Sequence, residues 1–426
     1  MTMTSQAFQH RAGATPDHLA QRYVQVRALS CALAAPLSDA DATAQSMADA
    51  SPAKWHLAHV TWFFETFVLR DHLPGYRLFH ERWPFLFNSY YEAEGARHAR
   101  PQRGLLTRPT LEQVLAYRAF VDEALLGALP MLAATCGDLI ELGLHHEQQH
   151  QELLLTDLQH LFSCNPLGPA VWPARAPDAS RGAPMRWHEG RSGLIETGAG
   201  GEGFSFDNEQ PVHAHVLTRH ALASRPVTNG EWGQFIADGG YGAAALWLSD
   251  GWAWVNREGI GHPLHWRRGD DGWEQFTLAG WRAIEADAPV THISLYEADA
   301  FATWAGARLP TEQEWETAAR TADPLAGVQL DEAGPVGPCV VGGQGGIAAL
   351  FGNVWEWTGS AYRPYPGFRA APGAVGEYNG KFMSGQFVLK GGSCATPRGH
   401  LRATYRNFFY PHQRWQFTGL RLAKDL

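Results

Sequence analysis

The chain has 426 residues, 45% hydrophobic and 18% charged, which supplies the cores of two or three domains and excludes disorder as the dominant state. Its 34 Lys and Arg against 43 Asp and Glu leave a net charge of −9, which argues against a general nucleic-acid binder. Five scattered cysteines without a C-x-x-C pair argue against a disulfide framework and a thiolate zinc site, whereas 20 histidines favour a nitrogen-ligated metal centre. No unbroken apolar run reaches ~18 residues, and the opening MTMTSQAFQHRAG has no apolar signal core. The expectation is a soluble, cytoplasmic protein with no membrane or nucleic-acid partner.

Glycine divides the sequence, since seven of the 45 precede residue 166. Residues 1–165 carry apolar residues at three- and four-residue spacing with few breakers, as in LEQVLAYRAFVDEALLGAL, and predict helices. Residues 166–187, rich in Pro and Ala and without period, predict a linker that lies against the surface. Residues 188–426 have short apolar pieces between Gly, Pro, Asn and Asp, and predict short strands, long loops and a few helices. The fold class is α+β.

In chain order, SPAKWHLAHVTWFFETFVL comes first. It predicts an aromatic core helix with Ser51 as N-cap and Pro52 at the first helical position. His56 and His59 on it are satisfied core residues, or one of them completes a metal site. Next, FLFNSYYEAEGARHARPQRGLLTRPT brings Tyr90 and Tyr91 together with Arg97, Arg100, Arg103 and Arg108. A phenol beside a metal can donate a proton or an electron, and arginines can clamp a carboxylate. The plain alternative is packed tyrosines and a solvated basic loop.

LGLHHEQQHQELLLTDLQH carries the strongest chemical signal. On a helix, His146 and His150 differ by about 40° and can chelate one metal ion. Gln149 sits at the edge of that face, within reach of a substrate beside the metal. His145 and Glu152 point elsewhere. The string HEQQH also fits H-E-x-x-H, which would make Glu147 the general base of a zinc hydrolase. Imidazole suits iron, zinc, copper and nickel alike, so spacing does not name the metal.

In the glycine-rich part, RLPTEQEWETAAR predicts a helix opened by a capping box of Thr311 and Glu314. FGNVWEWT places two tryptophans in a tight turn, where Asn353 and nearby carbonyls are a weak Ca2+ candidate. These landmarks, with KGGS and TGLRLAK, resemble the formylglycine-generating-enzyme (sulfatase-modifying factor) fold, related to C-type lectins. Cys394 lacks the paired cysteine of the oxidase members, so copper-dependent formylglycine formation is not expected.

Over nearly the whole chain, SPAKWHLAH, SYYEAEG, HHEQQHQE, GNVWEWT, KGGSCATPRGH and TYRNFFYPHQRWQFTGLRLA resemble the ergothioneine sulfoxide synthases. These join a DinB-like helical bundle to a formylglycine-generating-enzyme-like domain. The resemblance implies a non-haem Fe(II) centre on His59, His146 and His150, with O2 as co-substrate. It implies that the sulfur of a cysteine-type thiol is joined to C2 of the hercynine imidazole as a sulfoxide, and it displaces the zinc-hydrolase reading. Gln149 and Asn407 match residues that contact hercynine. Tyr90 and Tyr91 match a Tyr-Tyr pair of the cysteine-using branch and are the expected proton donors; another branch uses a tyrosine of the C-terminal domain. Branches that use γ-glutamylcysteine have N-W-D where this chain has Asn407, Phe408 and Phe409, which favours free cysteine as donor. Selenoneine synthases, which join hercynine to a selenosugar, are close relatives and the alternative.

Overall fold

The computed structural model describes residues 16–176, 180–201, 203–342, 345–370 and 374–426. The opening segment and part of the linker lie outside these. Among the described residues the first half holds α1 (Pro16–Ala34), α2 (Asp39–Thr43), α3 (Ala53–Phe63), α4 (Trp83–Phe87) and α5 (Leu111–Ser163).

Helix α5 opens on a capping box of Thr110 and Gln113. Val114, Tyr117, Val121, Leu125, Leu129 and Leu132 are buried at three- and four-residue intervals, and the helix packs on α1 and α3. Pro130 withholds a helical N–H, and Cys136 leaves the helical region (φ −146°, ψ 36°), so α5 is two helices meeting at a kink. One stretch of α5 is long and apolar enough by composition to cross a membrane, which a search for an unbroken apolar run passes over.

Helix α3 is buried along its whole length and continues as a π-helical segment, Phe64–Arg70. Its start differs from the expected cap. Pro52 precedes the helix, and no side chain caps it. The Ser51 N–H donates to Asp157 Oδ2 of α5 at 2.7 Å, and the Ser51 hydroxyl accepts from Arg103 at 2.8 Å. A carboxylate from another helix therefore takes the cap's place, well matched to the positive end of the helix dipole.

The second half contains α6 (Asn229–Ala237), α7 (Ser249–Glu258), α8 (Leu295–Trp304) and α9 (Glu312–Ala319). Its strands are β1 (Trp187–Glu189), β2 (Gly193–Thr197), β3 (His213–Leu217), β4 (His220–Ala223), β5 (Trp266–Gly269), β6 (Gly272–Thr277), β7 (Gly280–Ala283), β8 (Trp355–Ala361), β9 (Phe387–Lys390), β10 (Asn407–Phe409), β11 (Thr418–Gly419) and β12 (Ala423–Asp425). They form sheets ordered β1-β4-β12, β10-β9-β8-β11, β2-β3 and β5-β6-β7. The expected capping box opens α9, with Thr311 Oγ1 accepting the Glu314 N–H. GNVWEWT is only half a turn: Gly352 and Asn353 bend the chain with positive φ, 76° and 59°, and Trp355 starts strand β8. In the linker, Val171 and Trp172 donate to the Leu278 carbonyl, so this segment lies on the second half.

The kinked helix α5 joins the two halves. Glu152 is buried and enters the C-terminal part, where it accepts from Trp355 Nε1 (2.7 Å), Ser393 Oγ (2.6 Å) and Thr396 Oγ1 (2.7 Å). Five residues on, Asp157 Oδ1 accepts from Trp415 Nε1 at 3.0 Å.

Inside the bundle, Glu147 is a second buried carboxylate. It accepts from Arg27 (2.9 Å), Arg118 (2.8 Å) and Ser30 (2.6 Å). Thr61 of α3 accepts from both arginines, at 3.1 and 3.2 Å. This knot fixes α1, α3 and both halves of α5. Burial alone would raise the carboxyl pKa, but Arg118, Arg27 and Ser30 outweigh it and hold Glu147 at about 2. Because the folded-state pKa is depressed, its stabilisation is present above the ordinary carboxylate range and is lost as pH falls toward 2. Glu147→Gln is expected to cost about 3 kcal/mol at pH 7, since it leaves buried arginines short of a counter-charge. It should also flatten the acid limb of the stability profile. Urea unfolding between pH 7 and pH 2 measures both; equal pH slopes in the two proteins would contradict the assignment.

Candidate metal centre at the domain junction

His146 and His150, one turn apart on α5, and His59 on α3 bring their donor nitrogens within 4.8 Å of one another. Their ring centroids are 4.9, 4.8 and 4.7 Å apart. His59 Nδ1 donates to the Phe87 carbonyl at 2.6 Å, which leaves Nε2 as the lone-pair nitrogen; that atom is buried without a partner. His150 is oriented by a relay. Asp157 Oδ2 lies 3.0 Å from His56 Nε2, and His56 Nδ1 lies 2.8 Å from His150 Nδ1. The carboxylate accepts the hydrogen bond of His56 Nε2–H, so His56 Nδ1 accepts from His150 Nδ1–H and His150 Nε2 is left as the lone-pair nitrogen. Both ring nitrogens of His146 are buried without partners. His56 is thus an orienting residue behind the three rings.

Burial keeps all three imidazoles neutral. It pushes His59 and His150 well below the ordinary histidine range, with neighbouring histidines adding to the effect, and His146 to about 3. Neutral imidazole is the form that ligates. Aromatic rings build the walls. His59 is stacked between Trp55 (4.6 Å, 14°) and Trp62 (5.5 Å, 16°). Tyr91 packs on Trp62 at 5.5 Å and stacks on Tyr90 at 4.7 Å. Its hydroxyl is buried, and burial, with the neighbouring Tyr90 and Tyr378 adding to the effect, holds it well above the ordinary phenol range.

The C-terminal part closes the site with a residue that sequence reading missed. Tyr378 sets its ring 5.6 Å from His146 and stacks on Phe206. Its hydroxyl donates to Gln149 Oε1, and Gln149 Nε2 donates to Tyr405 at 2.7 Å. Tyr378 lies in a loop without periodicity, 229 residues from Gln149, so no spacing rule reaches it. Asp157 was more accessible, because seven residues return it to the helix face of His150.

The remaining expected residues lie as follows. Arg103 is buried flat on Trp55, 3.3 Å from the ring, and donates to the Ser51 and Ser89 hydroxyls. Arg97 is paired with Glu92 at 2.7 Å. Arg100 is exposed, close enough to Tyr90 for its charge to favour the phenolate there. Asn407 Oδ1 accepts from the Phe408 N–H at 2.9 Å. Phe408 stacks on Tyr362 at 4.0 Å, and Phe409 packs 6.2 Å from Trp415. Among the described residues, no hydrogen bond ties Asn407, Phe408 or Phe409 to the three histidines. At the Ca2+ candidate, both Asn353 oxygens accept backbone N–H groups, from Cys339 and Cys394. The H-E-x-x-H reading is overturned: both Glu147 oxygens are committed to Arg27, Arg118 and Ser30, so neither is free to act as a base.

Three neutral nitrogens fit a divalent first-row metal and leave coordination positions open for small molecules. The surrounding phenols can supply protons, and the indoles exclude water.

The sulfatase-modifying factor enzyme 1-like domain matches residues 189–333 and 335–426, and the DinB superfamily matches residues 22–154. A hercynine oxygenase of Mycobacterium tuberculosis is 34% identical, covering 97% of this chain and 100% of the relative. One of Mycolicibacterium thermoresistibile is 33% identical, covering 100% and 97%. A formylglycine-generating enzyme of Mycobacterium tuberculosis is 30% identical over 38% of this chain and 70% of its own. With both halves matched and the whole length aligned, the chain belongs to the hercynine oxygenase family, the ergothioneine sulfoxide synthase type of oxygenase.

Proposed function

We propose that the protein is an Fe(II)- and O2-dependent sulfoxide synthase that joins the sulfur of free cysteine to C2 of the hercynine imidazole. The observation that carries this reading is a carboxylate-free, three-histidine centre walled by phenols, in a chain related over its full length to hercynine oxygenases. The iron would be held by His59, His146 and His150, and when bound it would supply the site for thiolate coordination and O2 activation.

The protein's own groups do the rest. Trp55 and Trp62 exclude water and hold His59 in one plane. Tyr378 on the His146 side and Tyr91 beyond Trp62 each hold a proton at a buried phenol oxygen, ready for general-acid use. Arg100 is the arginine best placed to meet a donor carboxylate, because Arg97 and Arg103 are already engaged. Phe409 offers no charge to a longer, amino-terminated donor such as γ-glutamylcysteine. The same engagement of two arginines supports a second reading, in which the donor is a selenosugar without a carboxylate and the bond formed is C–Se.

Incubation of the Fe(II) protein with hercynine, O2 and each of cysteine, γ-glutamylcysteine and selenosugar, with products identified by mass, tests both. Cysteine is expected to give the coupled sulfoxide; coupling with selenosugar alone would select the second reading, and coupling with none would refute both.

His59→Ala, His146→Ala and His150→Ala should each abolish iron retention. Asp157→Asn, which frees the relay behind His150, should weaken iron binding roughly 10–100-fold. Iron content per folded chain after gel filtration measures both; wild-type retention in His59→Ala would remove the centre from the argument.

Loss of a proton-donating phenol should leave iron and hercynine binding intact but change the fate of oxygen. Tyr91→Phe and Tyr378→Phe are each expected to shift products from sulfoxide toward the donor's own sulfinic acid. The ratio of the two products at saturating O2 is the measurement, and an unchanged ratio in both variants and in their combination would place the proton source elsewhere.

A further inference from the structure

Behind Tyr378 runs a chain of polar groups that ends in a separate cleft. The cleft has a volume of about 450 Å³ and is lined by Arg22, His145, Gln148, Phe204, Arg398 and Arg402, among others. In its lining, Arg22 Nη2 lies 3.4 Å from His145 Nε2, and His145 Nδ1 lies 2.9 Å from His400 Nδ1. His400 Nε2 lies 3.2 Å from the Tyr405 hydroxyl. The Tyr405 hydroxyl meets the Gln149 amide at 2.7 Å, and that amide meets the Tyr378 hydroxyl. His145, His400, Tyr405 and Tyr378 are buried, so each hydrogen bond that one of them fails to make is costly.

Two hydrogen-bond polarities run through this chain. In the first, His400 carries its proton on Nδ1 and donates to Gln148 Oε1 at 3.2 Å. His400 Nε2 then accepts from Tyr405, Tyr405 accepts from the Gln149 amide nitrogen, and Tyr378 spends its proton on Gln149 Oε1. In this state the Tyr378 proton points away from the histidine centre. It also sets His145 Nε2–H against Arg22, two donors face to face.

The second polarity starts from Arg22, which can only donate. Its N–H goes to His145 Nε2, His145 Nδ1–H goes to His400 Nδ1, and His400 Nε2–H goes to the Tyr405 oxygen. Tyr405 donates to the Gln149 carbonyl after a half-turn of that amide, and the amide nitrogen donates to the Tyr378 oxygen. Gln148 makes the same half-turn to present its N–H to His400. Tyr378 is now the one hydroxyl whose proton is uncommitted, beside His146.

We propose that Arg22, His145, His400, Tyr405 and the Gln149 amide form a positioning relay, decided at His400, that turns the Tyr378 proton toward the metal centre. The proposal rests on the reading of Tyr378 as a proton donor and adds to it the groups that aim that proton. Among the described residues, no hydrogen bond joins His400 or Tyr405 to His59, His146 or His150; their partners are His145, Gln148, Gln149 and each other. They act through Gln149.

The test is a double-mutant cycle on the iron-loaded enzyme, with sulfoxide-to-sulfinate ratio as readout. Tyr405→Phe keeps the ring and breaks the relay. It should lower the ratio roughly tenfold when Tyr378 is present, and have no effect in the Tyr378→Phe background. Arg22→Met, at the rim, should act in the same direction and serves where Tyr405→Phe is poorly folded. His400→Gln, which can still both accept and donate, should recover most of what His400→Leu loses. Equal effects of Tyr405→Phe in both backgrounds would overturn the relay, as would no effect in either.

A second readout needs no turnover: 3-fluorotyrosine at position 378, observed by fluorine NMR in the full chain. Its resonance should move in Tyr405→Phe and His400→Leu and return in His400→Gln; a resonance unmoved by Tyr405→Phe would overturn the relay. If the wild type forms no coupled product with any donor, the functional reading falls and the fluorine comparison still decides the relay.

Discussion

The carboxylate of Asp157 is the constraint on which the rest of the site depends. One oxygen accepts the N–H at the entrance of α3 and faces His56, and the other accepts the Trp415 indole. A buried charge of this kind is tolerable only when its hydrogen bonds are complete. Completing them sets the depth of α3 against α5, the tautomer of His150 through His56, and the approach of the C-terminal part. His59, His146 and His150 converge in the region that the hydrogen bonds of this one acid hold together.

Electrostatics and packing cooperate in the same place. Each of the three imidazoles is stripped of water, which drives its pKa down and favours the neutral ring. The aromatic residues that strip the water also fix ring planes, as Trp55 and Trp62 do for His59. Arg103 lies behind Trp55 as a buried cation whose pKa burial lowers, with Arg100 adding to the effect and Asp157 opposing it.

Much of this was legible in the residues. The i,i+4 histidines, the helix of SPAKWHLAH, the glycine shift near residue 166 and the Thr311 capping box all follow from short-range geometry. The α3 cap was not, because Ser51 is drawn to Asp157, over a hundred residues away, and local cap preference yields to a charged partner. GNVWEWT was half legible: Gly352 and Asn353 announce a turn, but strand pairing of Trp355 with Thr418 of β11 decides where the turn ends. Glu147 misled because H-E-x-x-H is a spacing shared by a metal site and a core ion pair, and only the partners distinguish them. Tyr378 carried no local signal, since it is brought to His146 by the docking of one half on the other.

Glu152 has a consequence for how such a protein can be built and rebuilt. Its carboxylate leaves the helical part and is satisfied by Trp355, Ser393 and Thr396 of the C-terminal part. The two halves therefore share one buried carboxylate and its donors. A helical half expressed by itself would expose a carboxylate shaped for an absent cradle, and a C-terminal half would bury an empty cluster of donors. Exchanging one half for another would therefore mean carrying the acid and its three donors together, as one unit that belongs to the seam and to neither module alone.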